Sequence, residues 1–135
     1  MQSGEDLRLR TKQFALRVIR AYSAVRRTKV DPLNDAPAII GRQFLRSGTS
    51  VGAQYREACR ARSNAEFVSK IESATQELDE TLYWFELLVE SGLVAASKLE
   101  GLRQEGHELL AIFVSSVITA KKSGTHKLPR RNREQ

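Results

Sequence analysis

The chain of 135 residues has one cysteine, Cys59. No disulfide can form within it, and the expected compartment is a reducing one, the cytoplasm. No apolar run approaches the ~18 residues that a bilayer span needs. Met1–Arg10 has no apolar core of the kind a secretory leader carries, so neither a leader nor a membrane is expected. Histidines are as scarce: His107 and His126 only. Bundle enzymes with paired iron need Glu-x-x-His on facing helices, but Gln104 stands three residues before His107. Glu77 and Glu80 form Glu-x-x-Glu with no histidine beside them. Cys59, far from both histidines in sequence, reads as a small buried apolar residue. Gly48 and Gly52 fall inside a helical segment and make no phosphate-cradling loop. We therefore expect no catalytic residue, no metal and no cofactor, and read the chain as non-enzymatic.

Acidic residues are missing altogether from Leu7 to Val30. The first thirty residues carry eight Lys or Arg against two acids, whereas residues 63–92 carry one lysine against seven acids. The formal net charge of +6 is thus a basic start and a basic end around an acidic third quarter. A basic balance favours anionic partners such as nucleic acid.

Strand alternation is absent too, and what remains is helical periodicity. Four segments show it. From Glu5 to Arg27 the steps Leu7, Thr11, Phe14, Val18, Ala21 and Val25 trace a bundle seam. After a loop at Pro32, a second segment opens at Asp35 with Pro37 in its first turn. Its seam is Ile40, Phe44, Ser47, Val51, Gln54 or Tyr55, and Ala58. The third opens on a capping box, Ser63 with Glu66. Its seam runs through Phe67, Ile71, Ala74, Leu78, Leu82, Phe85 and Val89 to a stop at Gly92. The fourth runs from Ala96 or Ser97 to Lys122 through Leu99, Leu102, Gly106, Leu109, Phe113, Val117 and Ala120. Short connections predict an all-α, antiparallel up-down four-helix bundle over residues 1–122. Residues 123–135, with Lys127, Arg130, Arg131 and Arg133, form a basic tail without an expected fixed structure.

The second segment holds an oddity. Phe44–Ser63, "FLRSGTSVGAQYREACRARS", puts small residues where a helix usually carries leucine. Glycine in a helix interior costs roughly 1 kcal/mol against alanine. Gly48 and Gly52, four apart beside the core stripe, predict a close helix approach. Arg46, Ser50, Ala53 and Glu57 line a separate flank, a candidate subunit contact to which Gly52 is also assigned. On the third helix Glu77, Glu80 and Trp84 line a similar flank. The fork of Arg46 suits the two carboxylates.

The first helix presents Lys12, Arg20 and Arg27 on one outer arc, opposite Phe14, with Arg8, Arg17 and Arg26 beside it. With no acid to compensate them, these are candidate phosphate contacts, as are Lys127, Arg130, Arg131 and Arg133 of the tail. Neither segment offers aromatic stacking, so base readout on single strands is not expected.

Arg46–Ala58 ("RSGTSVGAQYREA"), Ser63–Ile71 ("SNAEFVSKI") and Glu77–Leu88 ("ELDETLYWFELL") together resemble the bacterial four helix bundle proteins encoded in intervening sequences of 23S ribosomal RNA. Arg46, Ser47, Thr49, Ser50, Gly52, Ala53, Glu57, Ser63, Phe67, Glu77, Glu80 and Trp84 match the family pattern; Gln54 and Phe85 replace its Asn and Leu. The resemblance spans Leu9 to Lys122. It implies a bundle that assembles as a homopentamer. It also implies a distant likeness to the accessory variability determinant proteins of diversity-generating retroelements, barrel-like pentamers that bind a reverse transcriptase and nucleic acid. The reading is an oligomeric bundle that binds RNA or DNA, structured RNA first, through basic helix faces and tail. The alternative is a scaffold for a protein partner such as a polymerase, with no direct nucleic-acid role.

Overall fold

The computed structural model describes residues 4–26 and 33–123. Among them are four helices and no strand: α1 (Gly4–Arg26), α2 (Ala36–Cys59), α3 (Asn64–Glu90) and α4 (Ala96–Lys122). The arrangement is compatible with a four-helix bundle. The two longest helices have 27 residues each, about 40 Å at 1.5 Å per residue. Helix α1 lies beside α2 and α4, and α3 also lies beside α2 and α4. No helix among the described residues is long and apolar enough to cross a membrane.

Each helix begins and ends for a local reason. Ser63 caps α3, accepting from the Glu66 amide at 3.0 Å. The returning Glu66 carboxylate reaches the Arg62 amide (2.9 Å), one residue earlier than a strict capping box requires. Ser63→Ala should therefore cost about 1 kcal/mol, read as a lower midpoint in urea unfolding with an unchanged slope. At the other end of α3, Gly92 has φ +81°, and the amides of Gly92 and Leu93 bond back to the carbonyls of Val89 and Leu88. This closes the helix with a left-handed residue that glycine adopts without a steric cost. Asp35 occupies the cap position of α2, but its side chain does not cap. Asn34 bonds the Ala36 amide instead, at 3.1 Å.

The core follows the expected seams with local shifts. Leu7, Thr11, Phe14, Val18 and Val25 of α1 are buried, as are Phe44, Ser47, Val51, Tyr55 and Ala58 of α2. Of the pair Gln54 and Tyr55, Tyr55 takes the inward seat and stacks on Phe113, ring centres 5.9 Å apart. On α3 the middle of the seam holds, but Val68 and Leu88 are buried at its ends, with Phe67 and Val89 half-buried beside them. The expected seam steps by four twice in succession between Ala74 and Leu82, whereas the buried positions Ile71, Leu78 and Phe85, and Ala74, Thr81 and Leu88, repeat every seven residues, the period of helices packed in a bundle. Cys59 is exposed rather than buried. It is the last residue of α2, and the buried seat at this end belongs to Ala58.

The small residues of α2 have one use in common. A Cβ added at Gly48 would lie 2.7 Å from Val18 Cγ2, and one at Gly52 would lie 3.3 Å from Thr11 Oγ1. Helix α2 therefore meets α1 of the same chain at nearly backbone distance. Gly52 is buried in this contact and does not stand on an outer flank. Opposite, Ser47 meets Thr81 across the α2–α3 seam, hydroxyl to hydroxyl at 2.9 Å.

Candidate nucleic-acid interface

The cations of the surface divide by whether a carboxylate answers them. Arg10, on the α4 side of α1, grips Glu105 through two bonds of 2.9 and 2.7 Å and reaches Glu108 at 3.2 Å. Hydrogen bonding to Glu105 raises its already high pKa, against the opposing cost of burial. Arg46 holds Glu77 at 3.3 Å and Glu80 at 2.8 Å, the pairing expected from the sequence. Lys70 pairs with Glu57 at 2.6 Å, Arg103 with Glu100, and Lys121 with Glu72. The hydrogen bond to Glu57 raises the Lys70 pKa. Exposed pairs of this kind add little stability, because water screens them.

Lys12, Arg17 and Arg20 have no such partner among the described residues. Lys12 and Arg20 are exposed and Arg17 is half-buried. Glu105 and Glu108 of the neighbouring α4 are drawn to Arg10, which leaves the rest of the α1 arc unneutralised. Arg27, the fourth helical candidate, lies outside the described residues, as do Lys127, Arg130, Arg131 and Arg133.

The other candidate set, Arg46, Ser50, Gly52, Ala53, Glu57, Glu77, Glu80 and Trp84, is given work within the chain. Arg46, Glu57, Glu77 and Glu80 make the α2–α3 ion pairs. Ser50 bonds back to the Arg46 carbonyl at 2.7 Å. Gly52 admits α1. Ala53 stays exposed. Trp84 is half-buried against the core and tilted against exposed Tyr83, ring centres 5.2 Å apart. Its indole nitrogen is shielded from solvent with no acceptor among the described residues.

Sequence reasoning missed Lys98. It stands in the first turn of α4, isolated in sequence from any basic run. In space it lines a groove of about 500 Å³ with Arg17 and Arg20. Among the described residues no group of three or more His, Cys, Asp or Glu is placed to hold a metal ion. The Tyr55 phenol is held protonated, its pKa pushed up first by burial and then by its hydrogen bond to Cys59.

Four helices without a strand among the described residues, with ion pairs that tie α2 to α3, make this an all-α protein by class. The chain belongs to the 23S rRNA-intervening sequence protein family, whose model matches residues 9–115. It is also similar to a solved structure from Bacteroides thetaiotaomicron, described as a protein of unknown function from the S23 ribosomal protein family. The two share 32% identity at a TM-score of 0.72, over 82% of this chain and 96% of that one. No curated protein matches the chain.

Proposed function

We propose that the chain is a non-enzymatic, homo-oligomeric bundle of the cytoplasm that binds structured RNA through phosphate contacts from α1 and the basic tail. The observation that carries this reading is the row Lys12, Arg17 and Arg20, left without carboxylates on a helix that carries no acid from Leu7 onward. Phosphate contacts of this kind position a nucleic acid without reading its sequence. The test is fluorescence anisotropy with a folded RNA and a duplex DNA at rising salt. The logarithm of affinity should fall with the logarithm of salt at roughly 0.9 per contact on a duplex. Absence of binding at low salt would end this reading.

The bundle is taken as antiparallel and up-down. Numbers that rise along one helix fall along the next: Phe44 meets Phe85, Arg46 meets Glu80, and Glu57 meets Lys70. Likewise Gly48 faces Val18 while Gly52 faces Thr11.

Self-association is supported by apolar surface that one copy leaves in water. Val114 and Ile118, four apart on α4, are 45% and 52% exposed. They stand near a groove between α3 and α4 lined by Phe67, Ala111 and Ile112. Exposed apolar patches commonly mark interfaces, and we assign this one to a second copy. Light scattering should give a mass several times 15.2 kDa, fivefold if the family's pentamer holds. A clean monomer at micromolar concentration would remove the assembly. If RNA and DNA both fail to bind, the same apolar surface favours a scaffold for a protein partner.

A further inference from the structure

We propose that the groove between α1 and α4 is a site for one nucleotide. Arg17, Arg20 and Lys98 take the phosphate at its rim, and an apolar floor covers the sugar and base. The proposal rests on the nucleic-acid reading above and deepens it.

The groove holds about 500 Å³, far more than a lone phosphate needs and within the ~300–1,000 Å³ of small-molecule sites. Its floor includes Ala21, Val94 and Leu102, and its cations come from both helices. Small residues keep the walls low. A Cβ on Gly101 would meet only Arg17 Nη2, at 3.1 Å, so the guanidinium rests against α4 and is carried across the gap. Three positive charges brought together from two elements repel one another, and no carboxylate among the described residues answers them. Arg10, two turns away on the same side of α1, shows what α4 provides where a cation is only structural: a glutamate at 2.7 Å.

An anion relieves the repulsion in the groove. The apolar floor distinguishes a nucleotide from inorganic phosphate, because only the nucleotide has a face to cover it. Among the described residues no aromatic lines the groove, so bases are not stacked and base identity is not read. The nucleotide can be free or a unit of a strand; the shared chemistry is a phosphate joined to a sugar and a base.

The test is calorimetric titration of the full chain at low salt with AMP, adenosine, inorganic phosphate and a short oligoribonucleotide. AMP and the oligonucleotide should bind. Adenosine should not, and inorganic phosphate should bind at least about tenfold more weakly than AMP, a factor equal to about 1.4 kcal/mol. Lys98→Gln should weaken AMP by a similar factor with helicity unchanged. Gly101→Leu should do the same by displacing the Arg17 guanidinium. If Gly101→Leu does not fold, the exposed Lys98→Gln carries the test alone. Equal binding of phosphate and AMP overturns the proposal, as does AMP binding that ignores Lys98→Gln. If AMP fails while the oligonucleotide still binds with salt dependence, the groove fails and the broader reading stands. If nothing binds, both fail.

Discussion

Gly48→Leu should lower stability by about 3 kcal/mol, the upper end of ordinary overpacking, and the thermal midpoint by on the order of 10 °C for a domain of this size. Even the first added carbon would lie 2.7 and 2.8 Å from the two methyl carbons of Val18. Val18 is fully buried and branched next to its backbone, so it has no flexible end to swing aside. Either α1 and α2 separate or both helices bend. Other glycines grade the effect. At Gly106 the nearest atom, 3.0 Å away, is Leu82 Cδ2 at the tip of a flexible side chain, so Gly106→Ala should cost less. Gly52→Leu also forces the α1–α2 contact, here against Thr11, whose hydroxyl is tied to the Leu7 carbonyl at 2.8 Å. Thermal unfolding followed by circular dichroism checks the series. An unchanged midpoint for Gly48→Leu would mean that α1 and α2 are not in close contact.

Lys12→Glu, Arg20→Glu and Arg27→Glu together should abolish RNA and DNA binding at moderate salt and leave helicity intact. Lys12 and Arg20 are exposed and hold no partner among the described residues, so changing them takes nothing from the fold. Reversal replaces each attraction by a repulsion. In an oligomer the arc is repeated, so the same substitution acts in every copy and the weakening compounds through avidity. The matching Gln triple should weaken binding less and flatten the salt slope by roughly 0.9 for each phosphate no longer neutralised. Arg10→Gln is the internal control. Arg10 is committed to Glu105 and Glu108, so its removal should disturb the α1–α4 packing and leave the salt slope unchanged. A triple variant that binds as well as the parent would remove α1 from the interface, and the scaffold reading would lead.

The sequence by itself determined the four helices, their ends within a residue or so, most of the core and the Arg46–Glu77–Glu80 cluster. These depend on periodicity and on side-chain reach, both legible along one chain. Glycines four apart also predicted a close approach, because no other feature makes two unfavourable helix residues worth keeping. Only the tertiary structure decided which neighbour approached: Gly52 faces α1, not a flank open to a second subunit. It also decided that Tyr55 and not Gln54 turned inward, and that Cys59 at the helix end stayed exposed. Above all it sorted the cations. Arg10 and Arg17 look alike in a helical projection, seven residues apart on one side of α1. One is answered by the glutamates of α4 and the other lies over Gly101 beside Lys98. That difference arises where two distant segments meet, and charge neutralisation across such a contact has no counterpart in the spacing along either one.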